Sequence, residues 1–519
     1  MQTSHPQRAG ARRALPTLAL AIGVALPCMW AVAAGAQTTG WTQFQGGAAR
    51  TGATADGPEP GFRQAWRTPV APGGPGERFG LSAPVIVDDV AVVVGPDQVL
   101  GFDLASGEQA FTVARELGPS VPAAIASVDG ATAIVYTEGW GDGPPAAPGD
   151  DASSTSTTST PSPSPADGDD ADDADDAEGH LVAIDAGDQR PLWSSVPLSG
   201  VSRTGVTVLD STAFVGVNDG TVIAVDLTEG SIAWEQQTGA QLVTTLAAGD
   251  GLLLVGLQGD RDTQPAIVAL DAVTGQERWR HEPVAPSAFV SAVSVGDGSA
   301  FAVFTGLSET SIVAVDLADG AERWNRRASG TIDPSSPPVV GEDSIYVTDL
   351  AGHTRALDAA TGEERWDFAS NTLVLRGAPI LVGSTLLVPA VDGEIDAIDV
   401  ESGELVWRQA PDDAPVRALA SAGDTLVAVR GGGRSGIEAY EHDPDAVLLR
   451  EASPTTLALG RMLGAMAIAT VPLIAAAVLL GGWLARRIGP AFPDEPDDAP
   501  DDPGDDPIRD PWEDEEPSP

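Results

Sequence analysis

The sequence predicts an all-β chain that closes into an eight-bladed β-propeller of four-stranded antiparallel blades, followed by one C-terminal transmembrane helix. Three observations predict it: one short phrase recurs through most of the chain, its copies are evenly spaced, and a long uncharged apolar run follows the last copy. Recurrence at a period of this length marks a repeat architecture.

The phrase is a small apolar pair, an Asp, a turn containing Gly, and a Trp eight residues after the Asp. It reads most clearly at Asp271 with Trp279, Asp358 with Trp366, and Asp399 with Trp407. Looser copies pair Asp103 with Phe111, Asp185 with Trp193, Asp226 with Trp234, and Asp316 with Trp324, and a degenerate one pairs Glu441 with Leu449. The apolar pair ends a strand. The Asp carboxylate accepts N–H groups of the turn, and Gly supplies its positive φ. The Trp is expected to begin the next strand and to pack against the neighbouring blade. Two β-branched runs precede each phrase, such as Pro84 to Val87 and Val90 to Val94 around a turn at Asp88-Asp89. Each repeat therefore holds about four strands, one propeller blade.

The spacing counts the blades. The marker positions run Trp66, Phe111, Trp193, Trp234, Trp279, Trp324, Trp366, Trp407 and Leu449, about 41 to 45 residues apart except once. Nine marks enclose eight intervals. The strand around Trp66 then joins the last blade, which removes the open edges of a linear array, and Leu449's strand becomes redundant. Seven blades is the competing count. The one long interval holds a Ser/Thr/Pro-rich and then Asp-rich insertion at 141–179, read as a disordered loop thrown out of blade 2. Its run Asp169 to Asp176 has no turn glycine to shape a Ca²⁺ loop, so a solvated acidic loop is favoured over a metal site. Its Ser/Thr stretch is a candidate carrier of sugars.

Both ends read as targeting elements. Arg8, Arg12 and Arg13 precede an apolar run that ends in Ala34-Gly35-Ala36, a small-x-small site. This is the pattern of a secretory signal peptide, residues 1–36, cleaved after Ala36; an uncleaved anchor helix is the other reading. Met462 to Leu484 carries no charge and is long enough to span a bilayer. Arg486 and Arg487 follow as a stop-transfer flank. A buried core helix is the weaker alternative in a chain that otherwise reads all-β. The expected topology puts the propeller, 37–453, outside the cell membrane and an acidic disordered tail, 488–519, inside, where it solubilises the chain or docks a partner.

Composition narrows the function. The 519 residues carry 75 Asp+Glu against 28 Lys+Arg, all of them Arg, for a net charge of −47. Such a surface repels phosphate backbones, so nucleic acid is excluded as a partner. The only cysteine, Cys28, lies in the signal segment, so disulfide, Cys-zinc and thiol chemistry are excluded from the mature chain. His180, His281, His353 and His442 are scattered, and no Gly-x-Ser-x-Gly elbow occurs.

The repeated Ala-Leu-Asp-x-x-Thr-Gly-x-x-x-Trp at Asp271 and its copies resembles the signature of the PQQ-like β-propeller superfamily. The opening Trp41 to Gly52 resembles the segment that starts many of these domains. The resemblance covers nearly the whole ectodomain and implies the fold. It leaves function open, because the superfamily holds both quinoprotein dehydrogenases and non-enzymatic envelope scaffolds. The dehydrogenase branch implies pyrroloquinoline quinone (PQQ), Ca²⁺ held by Glu and Asn, an Asp base and two adjacent cysteines. The mature chain has no cysteine, and Asn218, Asn325 and Asn371 are its only asparagines. The expected function is therefore a membrane-anchored binding scaffold for a cell-envelope protein or glycan, without cofactor or metal. The alternative is a membrane-tethered oxidoreductase using PQQ with calcium. The repeat Asp and Trp residues are read as structural.

Overall fold

The strands form where the sequence places its β-branched runs, and burial follows position in the blade. Second and third strands, such as Val90–Val94 and Thr221–Asp226, are buried almost throughout. Fourth strands, such as Ser231–Gln237, alternate between exposed and half-buried residues, as a strand with one covered face does.

The computed structural model describes residues 41–446, apart from 71–79, 140–178, 241–242, 260–263, 284–288, 291–292, 306–309, 329, 334–335, 371–376, 411 and 413. The signal segment with Ala36, Leu449, the span 462–484, Arg486, Arg487 and the acidic tail lie outside the described residues. So does the insertion, except that Gly179, its expected last residue, opens a strand. Among the described residues no helix is long and apolar enough to cross a membrane.

Eight antiparallel blades make up the ring. Blade 1 runs Val85–Val87, Val90–Val94, Gln98–Asp103 and Gln109–Ala114. Blade 2 runs Ala124–Val128, Ala131–Glu138, Gly179–Asp185 and Val196–Leu198. The first strands of blades 3 to 8 are Thr207–Leu209, Val243–Gly249, Ser294–Gly296, Val339–Val340, Ile380–Val382 and Val416–Ala422. First strands adjoin one another in ring order, and blade 8 meets blade 1. The fourth strand of blade 8 is supplied from the N-terminal side: Phe62–Pro69 pairs antiparallel with Gly436–His442. Every blade is thus complete, and the ring is closed by strand pairing between segments far apart in the chain.

The ring has two faces. One carries the tight turns between first and second strands and the phrase turns between third and fourth strands. The first–second turns hold Asp88, Asp129, Asp210, Asp250 and Asp297 at φ between 44 and 55°. Asp tolerates this left-handed region because its short side chain bonds locally. The effect is an arc of carboxylates over blades 1 to 5 on that face.

Candidate functional site

The phrase turns form one repeated local device. The carboxylate of Asp103 accepts from the Ser106 N–H at 2.8 Å, that of Asp271 from Thr274 at 2.9 Å, and that of Asp399 from Ser402 at 2.9 Å. Asp185, Asp226, Asp316 and Asp358 accept from N–H groups in their own turns in the same way. Four residues after the Asp the chain turns left-handed, at Gly107, Gly230, Gly275, Gly320, Gly362 and Gly403. In blade 2 that position is Gln189, at φ 59°.

The fourth strand then bulges by one residue just before the aromatic position. Trp279 faces Ala269 and Glu277 faces Leu270, so Arg278 is the extra residue. Arg323 and Arg365 occupy the same place in their blades. The bulge turns each guanidinium onto its own repeat Asp: Arg278 to Asp271 at 2.6 Å, Arg323 to Asp316 at 2.8 Å, Arg365 to Asp358 at 2.7 Å. Asp271 is held at about 2, by Arg278 first and then by Thr274. Asp358 is held at about 2 by Arg365 and Thr361. Both lie below the ~3.9 of an unfolded Asp. Their contribution to stability is therefore complete above about pH 4 and is lost as pH falls towards 2. Asp271→Asn should be less stable than the parent at pH 7, with the difference shrinking between pH 4 and 2. Urea unfolding across that range measures it.

Sequence reasoning puts the Trp at the start of the fourth strand. It sits further in: Trp279 is the third residue of Glu277–His281, because the bulge precedes it. Trp193 lies in no strand at all, since blade 2's fourth strand begins only at Val196. Each indole reaches the phrase turn of the next blade. Trp66 donates to the Leu104 carbonyl at 2.7 Å, Trp193 to Leu227 at 2.9 Å, Trp234 to Ala272 at 3.1 Å and Trp279 to Leu317 at 2.9 Å. Trp324 donates to Ala359 and Trp366 to Val400, both at 2.9 Å. The ring of each indole lies on the turn glycine: a Cβ at Gly275 would fall 2.7 Å from the Trp234 ring. Gly275→Ala therefore strains the left-handed backbone and displaces an interblade latch. A loss of about 1–3 kcal/mol is expected from the backbone alone, readable by urea unfolding. Trp407 meets blade 8 differently, packing edge-on against Phe62 of the closing strand at 5.0 Å.

The axis is filled at the acidic face by the chain's opening segment. Residues 41–54 run around the inner rim and bond the first strands in turn. The Trp41 carbonyl accepts from Ile86 in blade 1 at 2.8 Å, and Thr42 accepts from Ile125 in blade 2 at 2.7 Å. The Gln43 amide exchanges bonds with Val208 in blade 3 at 2.8 and 2.9 Å. Ala48, Ala49, Thr51 and Gly52 then accept from Ala248, Val295, Val340 and Leu381, in blades 4 to 7, at 2.7 to 2.8 Å. The physical reason is that a first strand shows its unpaired edge to the axis, and buried N–H groups require acceptors. Arg50 is buried within this plug, bonded to Thr207 Oγ1 at 3.1 Å and the Thr204 carbonyl at 3.3 Å. Burial lowers it to about 10, so it stays charged at neutral pH.

A quinone with its Ca²⁺ asks for acidic and Asn ligands at such an axis. The plug offers Trp41, Gln43, Gln45 and Arg50 there. Among the described residues no group of three or more His, Cys, Asp or Glu is placed to hold a metal ion. Asn218 accepts the Val201 N–H at 3.1 Å and Asn325 sits exposed on a fourth strand beside Glu322; Asn371 lies outside the described residues. These residues do not fit the group. The histidines stay apart, each with its own neighbour: His180 with Glu116, His281 with Glu322, His353 with Asp367, His442 with the Glu59 carbonyl.

Beside the plug, between blades 8 and 1, opens a cavity of about 1000 Å³. Asp56, Asp88, Asp89, Asp103, Asp424 and Glu441 line it, with no basic residue among its walls. The buried Ser421 hydroxyl on its wall has no hydrogen-bond partner among the described residues. Nothing local in the sequence marks this cavity, because its walls come from both ends of the ring.

Comparison with known proteins agrees with this architecture. The family model described as outer membrane protein assembly factor BamB, of PQQ-like repeat type, matches residues 177–352 and 327–440, together just over half of the chain. The chain belongs to this PQQ-like repeat family. It is similar to outer membrane protein assembly factor BamB of Xanthomonas campestris pv. campestris, at 27% identity over 241 residues, 42% of this chain and 57% of that protein. The matches span 57% or less of the length of the curated relatives. Among solved structures, BamB of Moraxella catarrhalis superposes with a TM-score of 0.52 at 16% identity, covering 73% of this chain and 99% of that one. Quinohemoprotein alcohol dehydrogenase of Comamonas testosteroni superposes with a TM-score of 0.56 at 12% identity, covering 78% and 81%. At such identities the likeness concerns the fold, which this PQQ-like repeat family shares between both branches.

Proposed function

We propose that this chain is an extracytoplasmic docking scaffold, tethered to a membrane by the 462–484 helix, whose acidic face receives a basic cell-envelope protein. The observation that carries the reading is the plug. It closes the axis at that face with the chain's own backbone and leaves a rigid rim of carboxylates around it. A latched ring loses little entropy on docking, and a rim rich in carboxylates speeds encounter with a partner of opposite charge. The family match to an assembly factor favours a protein partner over a glycan.

The test places a photocrosslinking side chain in intact cells at Asp250, on the acidic face, and at Asp219, on the opposite face. Reproducible adducts with an envelope protein from Asp250 and none from Asp219 are expected. Their absence from Asp250 would sink the reading. The fold likeness to the dehydrogenase keeps a second reading in view, that of a membrane-tethered quinone-dependent oxidoreductase. Titrating PQQ and Ca²⁺ into the purified chain by calorimetry separates the two. Tight one-to-one binding would replace the scaffold with the enzyme.

A further inference from the structure

Between blades 1 and 2 the regular interblade packing lapses. Blade 1 carries Phe111 where the other blades carry Trp, and blade 2 carries Gln189 where the turn elsewhere takes Gly. Phe111 lies over its own blade, where a Cβ at Gly101 would fall 2.2 Å from the ring. It has no indole N–H with which to bond the next turn. Blade 2's fourth strand is cut to Val196–Leu198, and the buried Val182 and Ile184 of the third strand form the apolar floor beside it. The result is a cleft of about 770 Å³, within the size range of small-molecule sites.

The cleft is chemically mixed. Val182, Ile184, Tyr136 and Trp193 line it together with Arg115 and Glu138. Arg115 is buried, and its Nη1 donates to the carbonyls of Gly95 at 2.7 Å and Pro119 at 3.2 Å. Its Nε and Nη2 have no partner among the described residues. These two nitrogens form the side-on fork that matches a carboxylate bidentately. The other titratable groups around Arg115 are Asp97, Glu116, Glu138, Tyr136 and His180. Glu138 accepts the Glu116 N–H at 3.0 Å, and His180 stands 3.7 Å from Glu116. Burial raises the Glu138 carboxyl and pushes Tyr136 up to about 12, while Arg115, lowered to about 10 by burial, stays cationic.

We infer that the cleft between blades 1 and 2 is a binding site for a small monocarboxylate with an apolar body, its carboxylate on the Arg115 fork and its body against Val182, Ile184 and Trp193. A monoanion fits better than a phosphate dianion, since Glu116 and Glu138 repel the second charge. The site goes beyond the docking reading and does not depend on it.

The test is calorimetric titration of the purified full chain with phenylacetate, and with phenylacetamide as the neutral isostere. Arg115→Lys keeps a cation and loses the fork; Ser194→Trp fills the cleft and leaves Arg115 in place. Expected are one-to-one binding of phenylacetate, at least about tenfold weaker binding of the amide and by Arg115→Lys, the loss of one charge-assisted hydrogen bond, and no binding by Ser194→Trp. Equal binding of acid and amide, unchanged binding in either variant, or no binding to the full chain would each overturn it. Binding that appears only after deletion of 141–178 would overturn it too, since the fork would then serve the chain's own carboxylates.

Discussion

A chain lacking residues 41–69 should fail to form the closed monomeric ring. The deletion removes Phe62–Pro69, which pairs along its length with Gly436–His442. Blade 8 is left with three strands and an open edge of unpaired N–H and C=O groups, a template for association. The Trp66 latch onto blade 1 goes with it, so the seam between blades 8 and 1 loses both its strand and its indole. The plug goes too. Buried N–H groups of Ile86, Ile125, Ala248, Val295, Val340 and Leu381 lose their acceptors together, each at about 1–3 kcal/mol if left dry. Summed over the rim, this is of the same size as the net stability of a typical domain, about 5–15 kcal/mol. Size-exclusion chromatography with light scattering should show aggregates in place of a monomer. A synthetic peptide of residues 41–70 supplied during refolding should restore the monomer. A truncated chain that runs as a folded monomer by itself would show that blade 8 closes without the N-terminal strand.

Arg430→Ala should be the most damaging single substitution among those considered. Arg430 and Glu438 are each about 1% exposed and form an ion pair within blade 8. Arg430 also donates to the carbonyls of Gly393 and Ala414, both at 2.9 Å, and to the Tyr440 hydroxyl at 2.8 Å. Tyr440 in turn donates to Glu438 at 2.6 Å, and Gln64 of the closing strand donates to Glu438 at 3.2 Å. Burial, then Glu438, raise the Tyr440 phenol, which keeps its proton and remains a donor. Removing the guanidinium takes the buried ion-pair partner from Glu438, which keeps only Tyr440, Gln64 and the more distant Arg67, and leaves two carbonyls without their donor, a cost of about 3–5 kcal/mol. Replacing both partners, as Arg430→Met with Glu438→Leu, should recover much of that loss, because no charge is then stranded. A double-mutant cycle in urea, with Glu438→Gln as the milder single change, measures the coupling. A loss below about 1 kcal/mol for Arg430→Ala would place the pair among surface ion pairs in effect.

These two regions differ in how far they could be read in advance. The closing strand announces itself, because Trp66 stands one repeat ahead of Phe111 and the last copy of the phrase is degenerate. Arg430 and Glu438 announce nothing. Along the chain they are ordinary charges in two successive strands, and only the approach of blade 7's loop and the closing strand buries them. The cleft between blades 1 and 2 is intermediate. Phe111 and Gln189 are visible departures from the phrase, but that they face one junction, with Arg115 at its edge, follows from the order of blades in space.

The sequence by itself determined the repeat, its period, the count of eight blades and the strand that closes them. It could do so because turn chemistry is local: an Asp, a left-handed Gly and an aromatic at fixed offsets act within about ten residues. Only the tertiary structure decided that six of the indoles donate to a turn carbonyl of the next blade, that bulged arginines return to their own Asp, and that residues 41–54 seal the axis. Gln43 reaches Val208 across 165 positions, and Arg67 reaches Glu438 from the other end of the propeller sequence. Such contacts are set by which edges and faces the closed ring leaves unpaired, a property of the assembled sheets that no local stretch of sequence carries.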